Sequence, residues 1–173
     1  MYYSTTYSSP LGAINLIFQG LALVGAWLPT QSKALVKAQA IEVDDPLALP
    51  VVQWLEDYFA GRAPSLAQLQ LSPLAGTPFQ KQVWRALQEI PYGQTLTYGD
   101  LAKKVAQQLG RQTMSAQAIG QAVGRNPISI IIPCHRILGQ KGKLTGYNGG
   151  LAIKSWLLDH EGISYRKVGS YES

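Results

Sequence analysis

The sequence predicts an α+β protein: an N-terminal three-stranded antiparallel sheet with one helix, then a mainly helical, winged-helix-like domain that contains a helix-turn-helix. Two observations favour this class. Short segments of strand character alternate with turns at the start of the chain, whereas later segments carry helix-capping signals and apolar residues at helical spacing. The chain has 173 residues, of which 46% are hydrophobic, enough to bury a core in one domain or two small ones.

The beginning of the chain predicts three strands. Residues of strand character are interrupted by two turn signals, Ser9-Pro10-Leu11-Gly12 and Gln19-Gly20. The predicted strands span residues 2–7, 13–18 and 21–28. Because strands joined by such short turns pair antiparallel, we expect an antiparallel sheet.

One helix and a connector follow the predicted sheet. Apolar residues at helical spacing over 51–59 predict the helix, with Pro50 at its start and Gly61 at the position that ends it. Residues 60–76 contain two prolines and two glycines, which is typical of a connector. We therefore place an N-terminal α/β domain at 1–76 and a C-terminal domain at 77–173.

The second part opens with two capping boxes, in which a threonine and a polar residue three positions later satisfy each other's backbone N–H groups. The two pairs are Thr77 with Gln80 and Thr97 with Asp100. They predict a helix that stops before Pro91 and a second helix over 101–109. A third helical segment, 115–123, is rich in small residues and should end at Gly124.

The second and third helices suit a helix-turn-helix, because alanine and glycine on the later helix let its backbone approach a groove closely. Ordinary packing of that helix against a neighbour explains the same small residues, and this stretch alone favours packing. Further along, β-branched residues predict a strand at 128–132, and five glycines within 139–150 predict a loop or wing. A final helix is predicted at 151–160. The side chains expected to face inward are Ile153, Trp156 and Leu157.

Charge is distributed unevenly along the chain. Residues 1–76 hold three Lys or Arg against five acids, whereas residues 77–173 hold twelve against five. The second half therefore carries the basic character, as expected of a surface that meets a polyanion such as DNA. A basic solvated face is the alternative interpretation.

Several classes of protein are excluded by the residue counts. A single cysteine excludes an internal disulfide framework and a multi-thiolate zinc site, and two histidines make a histidine-rich metal site improbable. The N-terminus lacks the pattern of a secretory signal, and the apolar run at 22–28 is too short to span a bilayer. A free thiol without an export signal indicates a cytoplasmic location.

Cys134 is the residue most suggestive of chemistry. A lone cysteine after a β-branched strand is usually a small buried hydrophobe. His135, Arg136 and the glycine-rich loop give Cys134 a more polar setting, in which a base or a positive charge would favour the reactive thiolate. Neighbours on a strand point to opposite faces, so Cys134 and His135 can cooperate only if the backbone turns or a water bridges them. Glu161 could orient His135, and from the residues alone a cysteine hydrolase stays open.

The second half of the chain resembles the O6-alkylguanine-DNA alkyltransferase family. The matching segments are Asn126 to Arg136, Gly146 to Lys154, Leu157 to Gly162, Phe79 to Val83, Pro91-Tyr92-Gly93 and Thr97-Tyr98. These segments occur in the family's order and cover nearly all of residues 77–173. The first 76 residues fit only loosely, as the variable N-terminal α/β domain of that family.

The resemblance implies a role for each of five catalytic residues. Cys134 takes the alkyl group from O6 of guanine in DNA, with O4 of thymine as an alternative donor, and it does so irreversibly and once. His135 accepts the thiol proton through a water, and Glu161 fixes the orientation of His135. Tyr98 donates a proton or hydrogen bond to the purine, and Asn126 braces the turn that leads to the active-site segment.

The resemblance also implies a pocket and a DNA-binding surface. The residues expected around the pocket are Tyr147, Asn148, Gly149, Val123 and Pro133. The residues expected to contact DNA are Gln117, Thr97, Ser115, Ala118, Arg125 and Arg136. Since O6 is hidden in the duplex, the nucleotide must be flipped into the pocket.

Gln117 departs from the family pattern, which usually has an arginine that fills the gap left by the flipped base. Glutamine can fill space and hydrogen-bond a base, but it lacks the positive charge and the planar guanidinium. Arg111 or Arg125 could supply the missing charge. We expect that duplex binding is retained but that it is weaker, or that the DNA is bent differently, than with arginine.

The resemblance implies a monomer that works on double-stranded DNA and needs no cofactor or metal. Three alternatives remain: a DNA-binding module without chemistry, a cysteine hydrolase or acyltransferase, and a regulator that responds to its own alkylation. The presence of Cys134 argues against the first. The basic second half would go unexplained by the second, and no further DNA-binding domain supports the third.

Overall fold

A computed structural model describes residues 1–31, 40–42 and 48–167. The chain forms two compact units, one of Met1–Ala75 with Pro127–Ile131 and the other of Gly76–Asn126 with Ile132–Ser173. Residues 32–39, 43–47 and 168–173, which the predicted domains include, lie outside the described residues. Within the described ranges no helix is long and apolar enough to cross a membrane.

The first unit contains a four-stranded sheet. Its antiparallel strands are β1 (Tyr2–Ser9), β2 (Gly12–Gln19) and β3 (Ala22–Trp27), as the turn signals predicted. The prediction of only three strands is wrong, because β4 (Ala40–Glu42) pairs parallel with β1 and gives the order β3-β2-β1-β4. A strand of three residues is too short to show an alternating pattern, so its sequence gave no signal.

Helix α1 (Leu49–Phe59) belongs to the same unit and confirms the predicted helix. Pro50 lies in its first turn, where the missing N–H group costs no helical hydrogen bond. Gly61 adopts a φ of 81° just after the helix, a conformation that glycine reaches without steric cost. Pro50 and Gly61 therefore mark the start and the end of this helix, as the sequence predicted.

Residues 127–131 pack into the first unit instead of forming the predicted strand. The Ala26 N–H donates to the carbonyl of Pro127 at 2.9 Å, and the Ser129 N–H donates to the carbonyl of Ala26 at 3.0 Å. Only Ile128 forms a β-bridge, and Ile130 has a φ of 70°. The strand prediction at 128–132 is wrong because these β-branched side chains are buried in a turn.

The second unit is mainly helical among its described residues. Its helices are α2 (Pro78–Leu87), α3 (Tyr98–Gln108), α4 (Ala116–Gly124) and α5 (Leu151–His160). Both predicted capping boxes are present, at the starts of α2 and α3. The Trp84 indole N–H donates to the carbonyl of Ala122 at 2.8 Å and joins α2 to α4.

Short parallel strand pairs complete the second unit. Strand β5 (Leu96–Thr97) pairs with β6 (Ile137–Leu138), and β7 (Lys143–Leu144) pairs with β8 (Arg166–Lys167). The fully buried side chains of α5 are Lys154, Leu157 and Leu158, which confirms Leu157 as an inward residue. Ile153 and Trp156, also predicted to face inward, are only half-buried. Lys154 takes the buried position because backbone carbonyls receive its ammonium group.

Candidate active site

Cys134, His135 and Arg136 form one 3₁₀ turn in the second unit. The Cys134 N–H donates to the carbonyl of Ile132 at 2.8 Å, and the Arg136 N–H donates to the carbonyl of Pro133 at 3.0 Å. With three residues per turn, consecutive side chains leave the backbone in three different directions. The backbone thus turns at Cys134, which is the condition that the sequence set for Cys134 and His135 to act together.

The Cys134 thiol is buried, with only 5% of the residue exposed. The Asn126 side-chain amide donates to the carbonyl of Ile132 at 2.9 Å and to Sγ of Cys134 at 3.3 Å. Burial raises the pKa of the Cys134 thiol, while the Asn126 hydrogen bond and the charge of Lys154 act to lower it. Asn126 therefore fixes the turn before Cys134 and also stabilises negative charge on its sulfur.

A cavity of about 360 Å³ opens beside the thiol. Its lining residues are Tyr98, Gly120, Val123, Gly124, Cys134, Gly146, Tyr147 and Asn148. This volume is in the range of pockets that hold a small molecule. Val123, Tyr147 and Asn148 lie where the sequence placed them, but Pro133 and Gly149 are not among the lining residues.

Three glycines of the cavity wall were not predicted as pocket residues: Gly120, Gly124 and Gly146. Gly120 and Gly124 are four residues apart on α4, so they lie on the same face of that helix. Since neither has a side chain, the helix leaves space for a ligand there. Their spacing is a signal from which this wall could have been predicted.

His135 and Glu161 form a buried pair. Nε2 of His135 lies 2.6 Å from Oε2 of Glu161, and both side chains are fully shielded from solvent. Burial lowers the pKa of His135, so the ring is neutral near pH 7. Since the carboxylate accepts the Nε2 proton, Nδ1 carries the free lone pair, and it has no hydrogen-bond partner among the described residues. The ring therefore presents a basic nitrogen.

Arg136 holds the other side of the Glu161 carboxylate. Its Nε donates to Oε1 of Glu161 at 2.8 Å, and its Nη1 donates to the carbonyl of Ile90 at 2.7 Å. The backbone N–H of Gly93 also donates to Oε1 of Glu161, at 2.9 Å. The prediction that Arg136 contacts DNA is wrong, because its guanidinium is buried and committed to these partners.

The charge on Glu161 is strongly favoured. Burial by itself raises the pKa of this carboxyl, but the hydrogen bonds and charges of His135 and Arg136 lower it to about 2. Glu161 is therefore ionised throughout the physiological range. A fixed anion beside His135 stabilises the imidazolium that forms whenever Nδ1 takes up a proton.

The remaining predicted residues lie on α3 and α4 or next to them. Tyr98 begins α3 and lines the cavity, and burial raises its pKa, so its phenol is a donor at neutral pH. The hydroxyls of Thr97 and Ser115 cap α3 and α4, and the Ser115 cap accepts the N–H of Ala118. Gln117 and Arg125 are exposed on α4 and at its end.

Fold and site together define the class: an α+β protein with a buried cysteine thiol at the wall of a pocket, next to a histidine held by a carboxylate. Residues 78–163 match the family described as 6-O-methylguanine DNA methyltransferase, DNA binding domain. A methylated-DNA–protein-cysteine methyltransferase of Methanosarcina acetivorans is 43% identical over 164 residues, which cover 94% of this chain and 99% of that protein. The chain belongs to the methylated-DNA–protein-cysteine methyltransferase family.

Other relatives and solved structures agree with this assignment. A Haemophilus influenzae methylated-DNA–protein-cysteine methyltransferase is 38% identical, over 97% of this chain and 90% of that protein. The crystal structure of Mycobacterium tuberculosis O6-methylguanine methyltransferase superposes with a TM-score of 0.78, at 40% identity over 93% of each chain. The Mycobacterium tuberculosis OGT structure in complex with DNA gives a TM-score of 0.75, at 40% identity over 92% of this chain and 91% of that chain.

Proposed function

We propose that this protein repairs DNA by moving an alkyl group, typically methyl, from O6 of guanine to Cys134. The observation that carries this proposal is the position of the only cysteine, buried at the wall of a cavity in a chain of this family. A thiolate is soft and polarizable, so it suits direct attack on an alkyl carbon. O4-alkylthymine is a further candidate substrate.

In the proposed step, the thiol proton leaves towards Nδ1 of His135 through a water molecule, and Glu161 stabilises the resulting imidazolium. The sulfur then forms a bond to the alkyl carbon as the bond between that carbon and O6 breaks. The bonding pair moves onto O6 and the purine, and the Tyr98 hydroxyl donates a hydrogen bond or proton that makes the base a better leaving group. The purine anion takes up one proton at a ring nitrogen, from Tyr98 or from solvent, and the proton held by His135 passes back through water to replace it. The products are unmodified guanine and a neutral thioether on Cys134, with His135 and Tyr98 in their original forms.

In this proposal, α3 and α4 bind the duplex and bring the damaged base to the cavity. They are joined by residues 109–115, as in a helix-turn-helix, and the small residues of α4 would let it enter a groove of duplex DNA. The damaged nucleotide would be flipped into the cavity, and the exposed Gln117 would occupy the gap in the base stack. Arg125, exposed at the end of α4, would pair with the phosphate backbone.

The thioether is stable and no second thiol is available to remove it, so each molecule reacts once. The protein would be a transferase that is consumed by its reaction, acting as a cytoplasmic monomer on double-stranded DNA.

Mass spectrometry tests the proposal. Reduced protein is incubated with a duplex that contains O6-methylguanine, and the intact mass and the Cys134 peptide are measured. We expect one added methyl group, located on Cys134, and none with the same duplex carrying guanine or with Cys134→Ala. If folded protein binds the damaged duplex but gains no methyl group, alkyl transfer is refuted. The result would then favour the alternative of a DNA-binding module without chemistry.

A further inference from the structure

Four exposed cationic side chains lie close together in the second unit. They are Lys141, Lys143, Arg166 and Lys167, and we call them the basic ribbon. Lys141 lies in a 3₁₀ turn, Gln140–Gly142, that leads into β7, and the other three are on β7 and β8. The segments around them, residues 137–147 and 162–167, contain no aspartate or glutamate. The ribbon therefore concentrates positive charge without an acid from its own segments.

Strand pairing places two of these cations opposite each other. Lys143 and Arg166 are register partners in the parallel pair of β7 and β8. Neighbouring strands lie about 5 Å apart, and like charges directly opposite are destabilising in a sheet. Leu144 is buried against Leu138 and Leu158, so the alternation along β7 directs Lys143 outwards. The fold thus keeps a repulsion that a bound polyanion would relieve.

Lys141 has a backbone conformation that suits glycine better. Its φ is 60° and its ψ is 26°, in the left-handed region that disfavours a lysine side chain. The N–H of Gly139 donates to the carbonyl of Lys143 at 2.8 Å and closes the loop around it. Among the described residues, no carboxylate lies at ion-pair distance from Lys141 or Lys143. Neither the backbone nor an ion pair explains a lysine at position 141, and this points to an anion outside the chain.

The ribbon lies beside the cavity and beside the start of α3. The turn Gln140–Gly142 packs against β5, the strand that leads directly into α3. Lys143 is three residues before Gly146, which lines the cavity, so their backbones are at most about 11 Å apart. A duplex that delivers a base into this cavity passes its mouth. The phosphates of that duplex then come within reach of the long cationic side chains of the ribbon.

We propose that the basic ribbon is a second DNA-binding surface, which contacts phosphates of the duplex beside the flipped nucleotide and apart from α3 and α4. The choice of duplex DNA as the partner rests on the proposed function. Contacts to phosphate carry no information about base sequence, so the ribbon positions any duplex over the cavity. Each phosphate that a cation neutralises releases counterions, so the ribbon also adds to the salt dependence of binding.

The test measures affinity for an undamaged duplex at several salt concentrations. Lys141→Gly, Lys143→Gln and Arg166→Gln are combined in one variant that loses three exposed cations. If each cation contacts one phosphate, the slope of log affinity against log salt should become shallower by about 3. The affinity at about 0.1 M salt should then fall several-hundred-fold.

Lys141→Gly alone separates DNA binding from folding. This variant should lose about one unit of slope and about eightfold in affinity at about 0.1 M salt. Its melting temperature should be unchanged or higher, because glycine adopts the left-handed conformation without steric cost. A loss of affinity at retained stability therefore comes from the missing charge.

The matched control is Arg62→Gln, which removes one exposed cation from the first unit and should leave the slope unchanged. An unchanged slope in the folded triple variant would overturn the proposal. So would an equal loss of slope in Arg62→Gln and Lys141→Gly, since net charge and not the ribbon would then govern binding.

Failure of the proposed function is recognised separately. If wild-type protein accepts no methyl group from a duplex with O6-methylguanine while the ribbon variants lose slope as expected, alkyl transfer is wrong and the ribbon stands as a DNA-binding surface. If methyl transfer occurs but the ribbon variants bind the undamaged duplex like wild type, the inference about the ribbon is wrong and the proposed function stands.

Discussion

His135 and Glu161 are joined by a hydrogen bond of 2.6 Å between Nε2 and Oε2, with both side chains shielded from solvent. This bond fixes the tautomer of the ring, because a carboxylate can only accept. Nδ1 is therefore the basic nitrogen available to the thiol, directly or through a water. Arg136 and the N–H of Gly93 hold the same carboxylate in place.

Replacing Glu161 by Gln should slow methyl transfer by about a hundredfold, because the neutral amide no longer stabilises a protonated His135. The measurement is the single-turnover rate on a duplex with O6-methylguanine. Asp159→Asn is the matched control, since Asp159 is exposed on the same helix end. A Glu161→Gln protein that reacts at the wild-type rate would remove His135 and Glu161 from the mechanism.

Stability should fall on acidification in two stages. The pKa of His135 is lowered by burial, so the unfolded chain takes up this proton first and stability is lost as the pH drops below about 6.5. The pKa of Glu161 is lowered to about 2, so its contribution is present above about 4.5 and is lost between there and pH 2. Urea unfolding followed by tryptophan fluorescence at a series of pH values measures both stages. His135→Gln should abolish the first stage, and His160→Gln should retain it. If the first stage persists in His135→Gln and is lost in His160→Gln, then His135 is not a histidine buried in its neutral form.

Arg136 and Arg125 should respond in opposite ways to replacement by methionine. Arg136→Met leaves Glu161 without its cation and should lower the free energy of unfolding by about 3 kcal/mol. Arg125→Met should leave stability unchanged, weaken duplex binding and reduce the slope of log affinity against log salt by about 1. Denaturant titrations and binding at several salt concentrations measure the two effects. If Arg136→Met keeps its stability but shows a smaller slope of log affinity against log salt, then Arg136 does contact DNA.

Gln117→Arg should increase duplex affinity and the repair rate, because guanidinium adds a charge and a planar surface for the gap in the stack. Gln121→Arg, exposed one turn later on α4, adds the same charge at another position. We expect the gain in methyl-transfer rate only for position 117. Unchanged affinity and rate in Gln117→Arg would show that residue 117 does not occupy the gap that the flipped base leaves in the stack.

Elements with local signals were predictable from the sequence. The two capping boxes and the turn glycines depend on residues within a few positions of one another, and the helices that they bound are present. The short β4 strand and the packing of residues 127–131 depend on partners far along the chain. The sequence of β4 carries no pattern of its own, whereas the β-branched run at 128–132 is typical of a strand although it forms a turn.

The reactive residues of the site were predictable from the sequence, but the burial of its two cationic side chains was not. Cys134, His135 and Glu161 were singled out because of their residue types and their place in the family's motifs. Arg136 and Lys154 have the side chains of surface residues, and only tertiary structure supplies the carboxylate and carbonyls that receive them. The spacing of Lys154 ahead of Leu157 and Leu158 did place it on their helix face, and that signal was available.

Alkyl transfer to Cys134 is the central claim, and the stoichiometry of transfer tests it most directly. Protein is titrated against an excess of duplex that carries radiolabelled O6-methylguanine, and protein-bound label and restored guanine are counted together over time. We predict that both rise to one equivalent per protein molecule, stop there, and are absent in Cys134→Ala. Continued formation of guanine beyond one equivalent, or label that remains on the DNA, would contradict the account.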